Sequence, residues 1–153
     1  MLHFIYAQPP LLIIFLMAAA LALWGCRAAK IHMTLHWQRG NLILSILMAI
    51  AILYTTILSR SEGNTGLVLT PFAALAAARQ QPELYREMLM NVFLFFPLGL
   101  TLSNALPRTW HRWLRISLTT LTGCILSAGI EYAQYRFALG MAETDDVICN
   151  TLG

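Results

Sequence analysis

Charge is what this chain has least of. Only 11% of its 153 residues are Asp, Glu, Lys or Arg, against about 25% in an ordinary soluble domain. With 58% hydrophobic residues and a mean hydropathy of +0.65, that shortage excludes a water-soluble globular domain and points to a membrane protein. The formal charge of +3 is small and dispersed, which excludes the basic face that a nucleic-acid binder needs. Cysteine is scarce too. Cys26, Cys124 and Cys149 fall on different sides or depths of the topology derived below, so no two are expected to pair. Internal repeats and low-complexity linkers are lacking, and residues 1–153 read as one domain.

Charge-free runs place the spans. No charged residue precedes Arg27, and residues 10–26 read as a first helix with Pro9-Pro10 at its start. A cleaved signal peptide would carry Lys or Arg ahead of its apolar run; none is there, so retention as a helix is expected. Residues 40–59, between Arg39 and Arg60, and residues 88–107, between Glu87 and Arg108, each supply about the 20 residues that a ~30 Å hydrocarbon core needs. A fourth span begins after Arg115 and reaches Tyr135, interrupted only by Glu131. The expected fold is all-α: a polytopic membrane helix bundle of four transmembrane helices. A short helix on the outer leaflet, residues 72–80, follows the start signal Thr70-Pro71.

Loop charges orient the bundle. Arg27, Lys30 and Arg39 lie in one connection and Arg108, Arg112 and Arg115 in another, with no acidic residue in either. Arg60, Arg79, Arg86 and Arg136 share the opposite side with all seven acidic residues. The basic excess belongs in the cytoplasm, which puts the N-terminus outside.

Polar residues inside the spans need a reason. Ser127, Glu131 and Gln134 follow at intervals of four and three, so they share one helix face. Counted from Arg115 at 1.5 Å per residue, Glu131 sits roughly 6 Å below the outer edge of a ~30 Å core. Asn91, counted from Glu87, lies at the same depth. A carboxylate there meets water, headgroups, Arg60 or Arg136 more cheaply than one at the midplane. The structural alternative is a paired carboxylate that holds helices together. Gly140 reads as the C-cap of the fourth span. Beyond it Thr144 is a candidate cap for a helix opened by Asp145 and Asp146, whose charges suit its positive end. Asp146 and Asn150 would share a face of that helix. Two adjacent carboxylates with an amide are more than capping requires. In the first cytoplasmic loop His32 and His36 stand one turn apart, but only Cys26 offers a third ligand nearby. Interfacial packing is the plainer reading there, and no metal or other cofactor is expected.

The set Asn91…Leu94-Phe95-Phe96-Pro97-Leu98-Gly99, then Ser127…Glu131…Gln134, then Asp145-Asp146-Val147…Asn150-Thr151-Leu152-Gly153 resembles the signature of the VanZ-like family of bacterial membrane proteins. Arg60 and Pro71-Phe72 fit its earlier, looser positions, so the resemblance covers about residues 54–153. It implies a place in the bacterial cytoplasmic membrane. It also implies a link with the cell envelope and with low-level resistance to teicoplanin, the lipoglycopeptide associated with the founding member. Similar members continue past the Asn-Thr-Leu-Gly motif into another apolar helix. The expectation is that a fifth span follows Gly153 in a longer protein or that this is a shortened relative.

Arg60, Asn91, Ser127, Glu131, Gln134, Arg136, Asp145, Asp146 and Asn150 all map to the outer half of the membrane or just beyond it. They are expected to form an outward-facing polar pocket, roofed by residues 72–80. Such a pocket would meet a membrane lipid or a lipid-linked or lipid-tailed molecule, with arginine suited to its phosphate or carboxylate. Two alternatives stay open. One is an enzyme acting on a lipid-linked substrate, with Glu131 or the Asp145-Asp146 pair as acid or base, with or without a divalent cation. The other is a structural partner of another membrane protein, using the small residues Ala18-Ala19-Ala20 and Ala22.

Overall fold

The structure, a computed structural model, describes residues 35–60, 63 and 65–153. The expected first span at residues 10–26, the Ala18–Ala22 stripe and His32 lie outside the described residues. Among the described residues three helices are long and apolar enough to cross a membrane. Helix α1, Leu35–Leu53, runs on into one π-helical turn, Tyr54–Leu58. Strand β1, Gly66–Val68, and a short helix α2, Ala73–Ala77, lead to α3, Pro82–Ala105. Helix α4, Arg112–Arg136, is followed by strand β2, Met141–Glu143, and helix α5, Thr144–Leu152.

The long helices invert the pattern of a soluble bundle. On α1 the buried positions Asn41, Ser45, Met48 and Ile52 recur at helical spacing, while Leu42, Ile43, Ile46, Leu47 and Ile50 face outward. The outward face suits lipid. The polar members donate within the helix: Asn41 Nδ2 to the Trp37 carbonyl (2.9 Å) and Ser45 Oγ to that of Leu42 (2.8 Å). The apolar core joins Met48, Ala51 and Ile52 of α1 to Phe95 and Leu98 of α3 and Ile130 of α4.

Helix α3 opens on Pro82 at its first turn, with Glu83 beside the positive end of the dipole. It continues without interruption through Pro97, and Thr101 Oγ donates to the Pro97 carbonyl (2.8 Å). Helix α5 lies between α3 and α4 and packs on both. Its end approaches α3 closely. A Cβ on Gly99 would stand 3.0 Å from the Gly153 carbonyl oxygen, and one on Gly153 would collide with the Val92 carbonyl. Two glycines therefore let backbone meet backbone where α5 stops.

Three expectations change. The short helix covers 73–77 rather than 72–80, because Phe72 takes a left-handed conformation, φ 62°, that bends the chain into the helix and leaves Thr70 and Pro71 outside it. Helix α4 ends at Arg136, with Phe137 as its C-cap and Ala138 at φ 56°, so Gly140 is not its cap. The bundle also carries two short parallel strands. Gly66, Leu67 and Val68 pair with Met141, Ala142 and Glu143, and the Gly63 N–H donates to the Ala138 carbonyl (2.8 Å). That pairing ties the loop after α1 to the loop after α4.

Candidate functional site

The strand pair and α5 deliver the acidic motif to the end of the bundle that carries Arg60. Asp145, only 4% exposed, accepts from the backbone N–H of Phe72 and of Ala74, the latter at 2.7 Å. Both oxygens thus serve the open amino end of α2, where a carboxylate suits the unpaired N–H groups. Thr144 does not cap α5. Its hydroxyl donates instead to the Val68 carbonyl (3.3 Å).

The neighbouring carboxylate is used differently. Asp146 is half-buried and accepts from Asn91 Nδ2 at 2.7 Å. Burial, reinforced by the charge of Glu143, pushes its carboxyl up from the ordinary 3.8 to about 6, against the opposing pull of Arg60 and the Asn91 hydrogen bond. Glu143 is raised as well, by burial first and then by Asp145 and Glu87. On α4, Glu131 is 7% exposed and accepts from the Glu143 N–H (3.0 Å). Arg60 lies within electrostatic reach of both Glu131 and Asp146. Its guanidinium crosses the chain at Gly140, where φ is +155° and a Cβ would stand 2.8 Å from Nη1.

The remaining expected residues divide. Ser127 and Asn150, both buried, pair with each other: Asn150 Nδ2 donates to Ser127 Oγ (2.9 Å). Gln134 Nε2 donates to the Thr56 carbonyl (3.0 Å), in the π-helical turn whose wider winding disturbs the regular ladder. Gln134 therefore ties α4 to the end of α1. Arg136 is exposed on the last turn of α4 and takes part in none of these hydrogen bonds. The structure thus gathers Arg60, Asn91, Glu131 and Asp146 into one cluster, sets Ser127 and Asn150 beneath it, and gives Asp145 and Gln134 binding duties toward the backbone.

Two participants escape a reading by residue type. Glu143 contributes both its N–H and its charge, and Gly140 leaves room for Arg60. The only sequence signal for either is nearness to the acidic run. Among the described residues no three of His, Cys, Asp and Glu converge as ligands for a metal ion.

Three helices long and apolar enough to cross a membrane mark the chain as a membrane protein, and at one end of them buried carboxylates lie within electrostatic reach of Arg60. A sequence profile of the VanZ/LLP1 family matches residues 40–153. The chain belongs to that family, and the match begins earlier than the motifs alone suggest. Comparison with curated proteins and with solved structures gives no match.

Proposed function

We propose that this chain is a multi-pass envelope protein of the bacterial cytoplasmic membrane, with its N-terminus outside, whose polar cluster faces outward. The cluster takes the headgroup of a membrane lipid or of a lipid-linked or lipid-tailed molecule. The observation that carries this reading is that Arg60 lies within electrostatic reach of both Glu131 and Asp146 at one end of the bundle. A phosphate or carboxylate on the ligand would engage Arg60, and its hydroxyl or ammonium groups would engage the carboxylates. Family membership supports a further step, in which this protein lowers the action of teicoplanin-type lipoglycopeptides.

The test is Glu131→Gln, which keeps size and removes charge, at matched protein levels in the membrane. Labelled lipoglycopeptide retained at the cell surface is the readout. The wild type lowers retention and the variant does not. Equal lowering by both would reduce Glu131 to a helix-packing residue and sink the proposal.

Asp146 favours one second reading. A carboxyl pushed up to about 6 exchanges a proton near neutral pH, as an acid–base catalyst must. Asp145 is the weaker candidate of the pair, since backbone N–H groups occupy both its oxygens. Turnover of a lipid-linked substrate by purified protein, lost in Asp146→Asn, would favour the enzyme.

A further inference from the structure

Three carboxylates at the rim of the bundle keep oxygens to spare. Glu131 accepts one hydrogen bond, through Oε2 from the Glu143 N–H, and Asp146 accepts one, through Oδ1 from Asn91 Nδ2. The side chain of Glu143, half-buried, accepts none among the described residues. Asp145 stands apart, because backbone N–H groups hold both its oxygens. Glu131 is only 7% exposed, so bulk water does little for its second oxygen, and a buried acceptor without a partner is costly.

Charge is as unbalanced as hydrogen bonding. The charges that act most on Glu131 are those of Asp146, Arg60 and Glu143, and on Asp146 those of Glu143, Arg60 and Glu87. On Glu143 they are Asp145 and Glu87, both acidic. Arg60 is the one cation among these groups. It is exposed, and among the described residues its guanidinium donates to none of the three carboxylates, whose hydrogen bonds come from Glu143 and Asn91. Burial first, and this crowding second, hold the protons of Asp146 and Glu143 more tightly than water would.

A divalent metal ion needs oxygens that converge on one point, and among the described residues no three of His, Cys, Asp and Glu do so. A primary ammonium suits the looser arrangement. It brings a positive charge and three N–H donors, with no acceptor to leave unsatisfied, whereas a hydroxyl brings one donor and no charge. Apolar side chains border these oxygens. Strand β1 sets Val68 against Glu143, and the next residue, Leu69, is 69% exposed. Phe72 gives its N–H to Asp145, which holds it at φ 62° with the ring 58% exposed. That conformation is unfavourable for a bulky residue.

We infer that this site takes an amine-bearing phospholipid: a primary ammonium among Glu131, Glu143 and Asp146, a phosphate on Arg60, and the start of a hydrocarbon chain on Leu69 and Phe72. The inference rests on the reading of the cluster as a headgroup site and narrows it from hydroxyl or ammonium to ammonium. In an ethanolamine headgroup two carbons separate the ammonium from the phosphate, so both charges arrive together.

Titration calorimetry of the purified full chain in a neutral detergent tests it with three probes. Dihexanoyl phosphatidylethanolamine carries the amine, dihexanoyl phosphatidylglycerol puts hydroxyls in its place, and free phosphoethanolamine lacks the chains. The ethanolamine lipid binds about tenfold more tightly than the glycerol lipid, the margin of a charge-assisted over a neutral hydrogen bond, and more tightly than free phosphoethanolamine. Asp146→Asn erases the preference, and so does Glu143→Gln, which leaves the backbone N–H to Glu131 in place and serves where Asp146→Asn fails to fold. Arg60→Gln weakens both lipids alike. A glycerol lipid bound as tightly as the ethanolamine lipid would overturn the amine and leave the headgroup site standing. Free phosphoethanolamine bound as tightly as its lipid would overturn the chain contact, and saturable binding of none of the three would overturn both this inference and the reading beneath it.

Discussion

Where α5 enters between α3 and α4, each carboxylate is engaged: Asp145 by two backbone N–H groups, Asp146 by the Asn91 amide, Glu131 by the Glu143 N–H. One turn further along α5 the neighbours are neutral: Asn150 Nδ2 donates to Ser127 Oγ, and both side chains are buried. One short helix therefore borders two environments of different chemistry. The first fixes charges against backbone and amides at the rim of the bundle, where ionised groups are affordable. The second pairs uncharged groups with each other deeper in, where a charge would cost most. The contrast makes electrostatic substitutions at the rim consequential for the fold and substitutions among the neutral pairs beneath it less so.

The largest effect is expected at Asp145, the residue that joins α5 to α2 across 71 residues of chain. Asp145→Ala removes two charge-assisted hydrogen bonds and leaves two amides of a short helix unpaired. A loss of about 2–4 kcal/mol follows, read as a lower midpoint of thermal unfolding in detergent. Proteolysis within residues 63–81 should rise in step. Asp145→Asn keeps an acceptor and should recover part of the loss. A variant as stable as the wild type would show that α2 is held by something other than this carboxylate.

Asp146 sets a pH test with a definite sign. Its carboxyl is raised from 3.8 to about 6 in the fold, so between those values the folded protein holds a proton that the unfolded chain releases. Stability is greatest below this window and falls as pH rises through it. Glu143 and Glu87 face Asp146 and reinforce the trend, while Arg60 opposes it. Asp146→Asn, still able to accept from Asn91, should flatten the fall measured by unfolding midpoint between about pH 4 and pH 7. Glu143, raised too, contributes to the slope that remains. An unaltered slope would remove Asp146 from the titration.

These residues also show what a sequence reveals of such a site. The intervals linking Ser127, Glu131 and Gln134 announce one helix face, and all three are buried, because periodicity is a local property. The separation of Asp145 from Asp146 is not local. It depends on Phe72 and Ala74, far away in the chain and contributing only backbone, which carries no residue-type signal. Strands of three residues are too short to show a pattern of two, so the pairing that places Glu143 beside Glu131 stayed hidden. Gly140 was legible as a glycine and misread in its role, since a helix C-cap and a passage for an arginine call for the same residue.

Gln134 offers the smallest effect and a control for the others. It lies on the same buried face as Glu131 and near the same end of the bundle, yet its bond joins two neutral groups, its amide and the Thr56 carbonyl. The π-helical turn around that carbonyl is braced independently by Thr55, Thr56 and Ser59, whose hydroxyls donate back to the carbonyls of Ile52 and Thr55. Hydrogen bonds between membrane helices average about 0.6 kcal/mol, so Gln134→Leu should cost about that much in unfolding stability. Labelled lipoglycopeptide retention should be unchanged beside Glu131→Gln. Loss of that phenotype in Gln134→Leu at wild-type stability would place the neutral amide in the binding site with the carboxylates, and the rim could then no longer be described by charge alone.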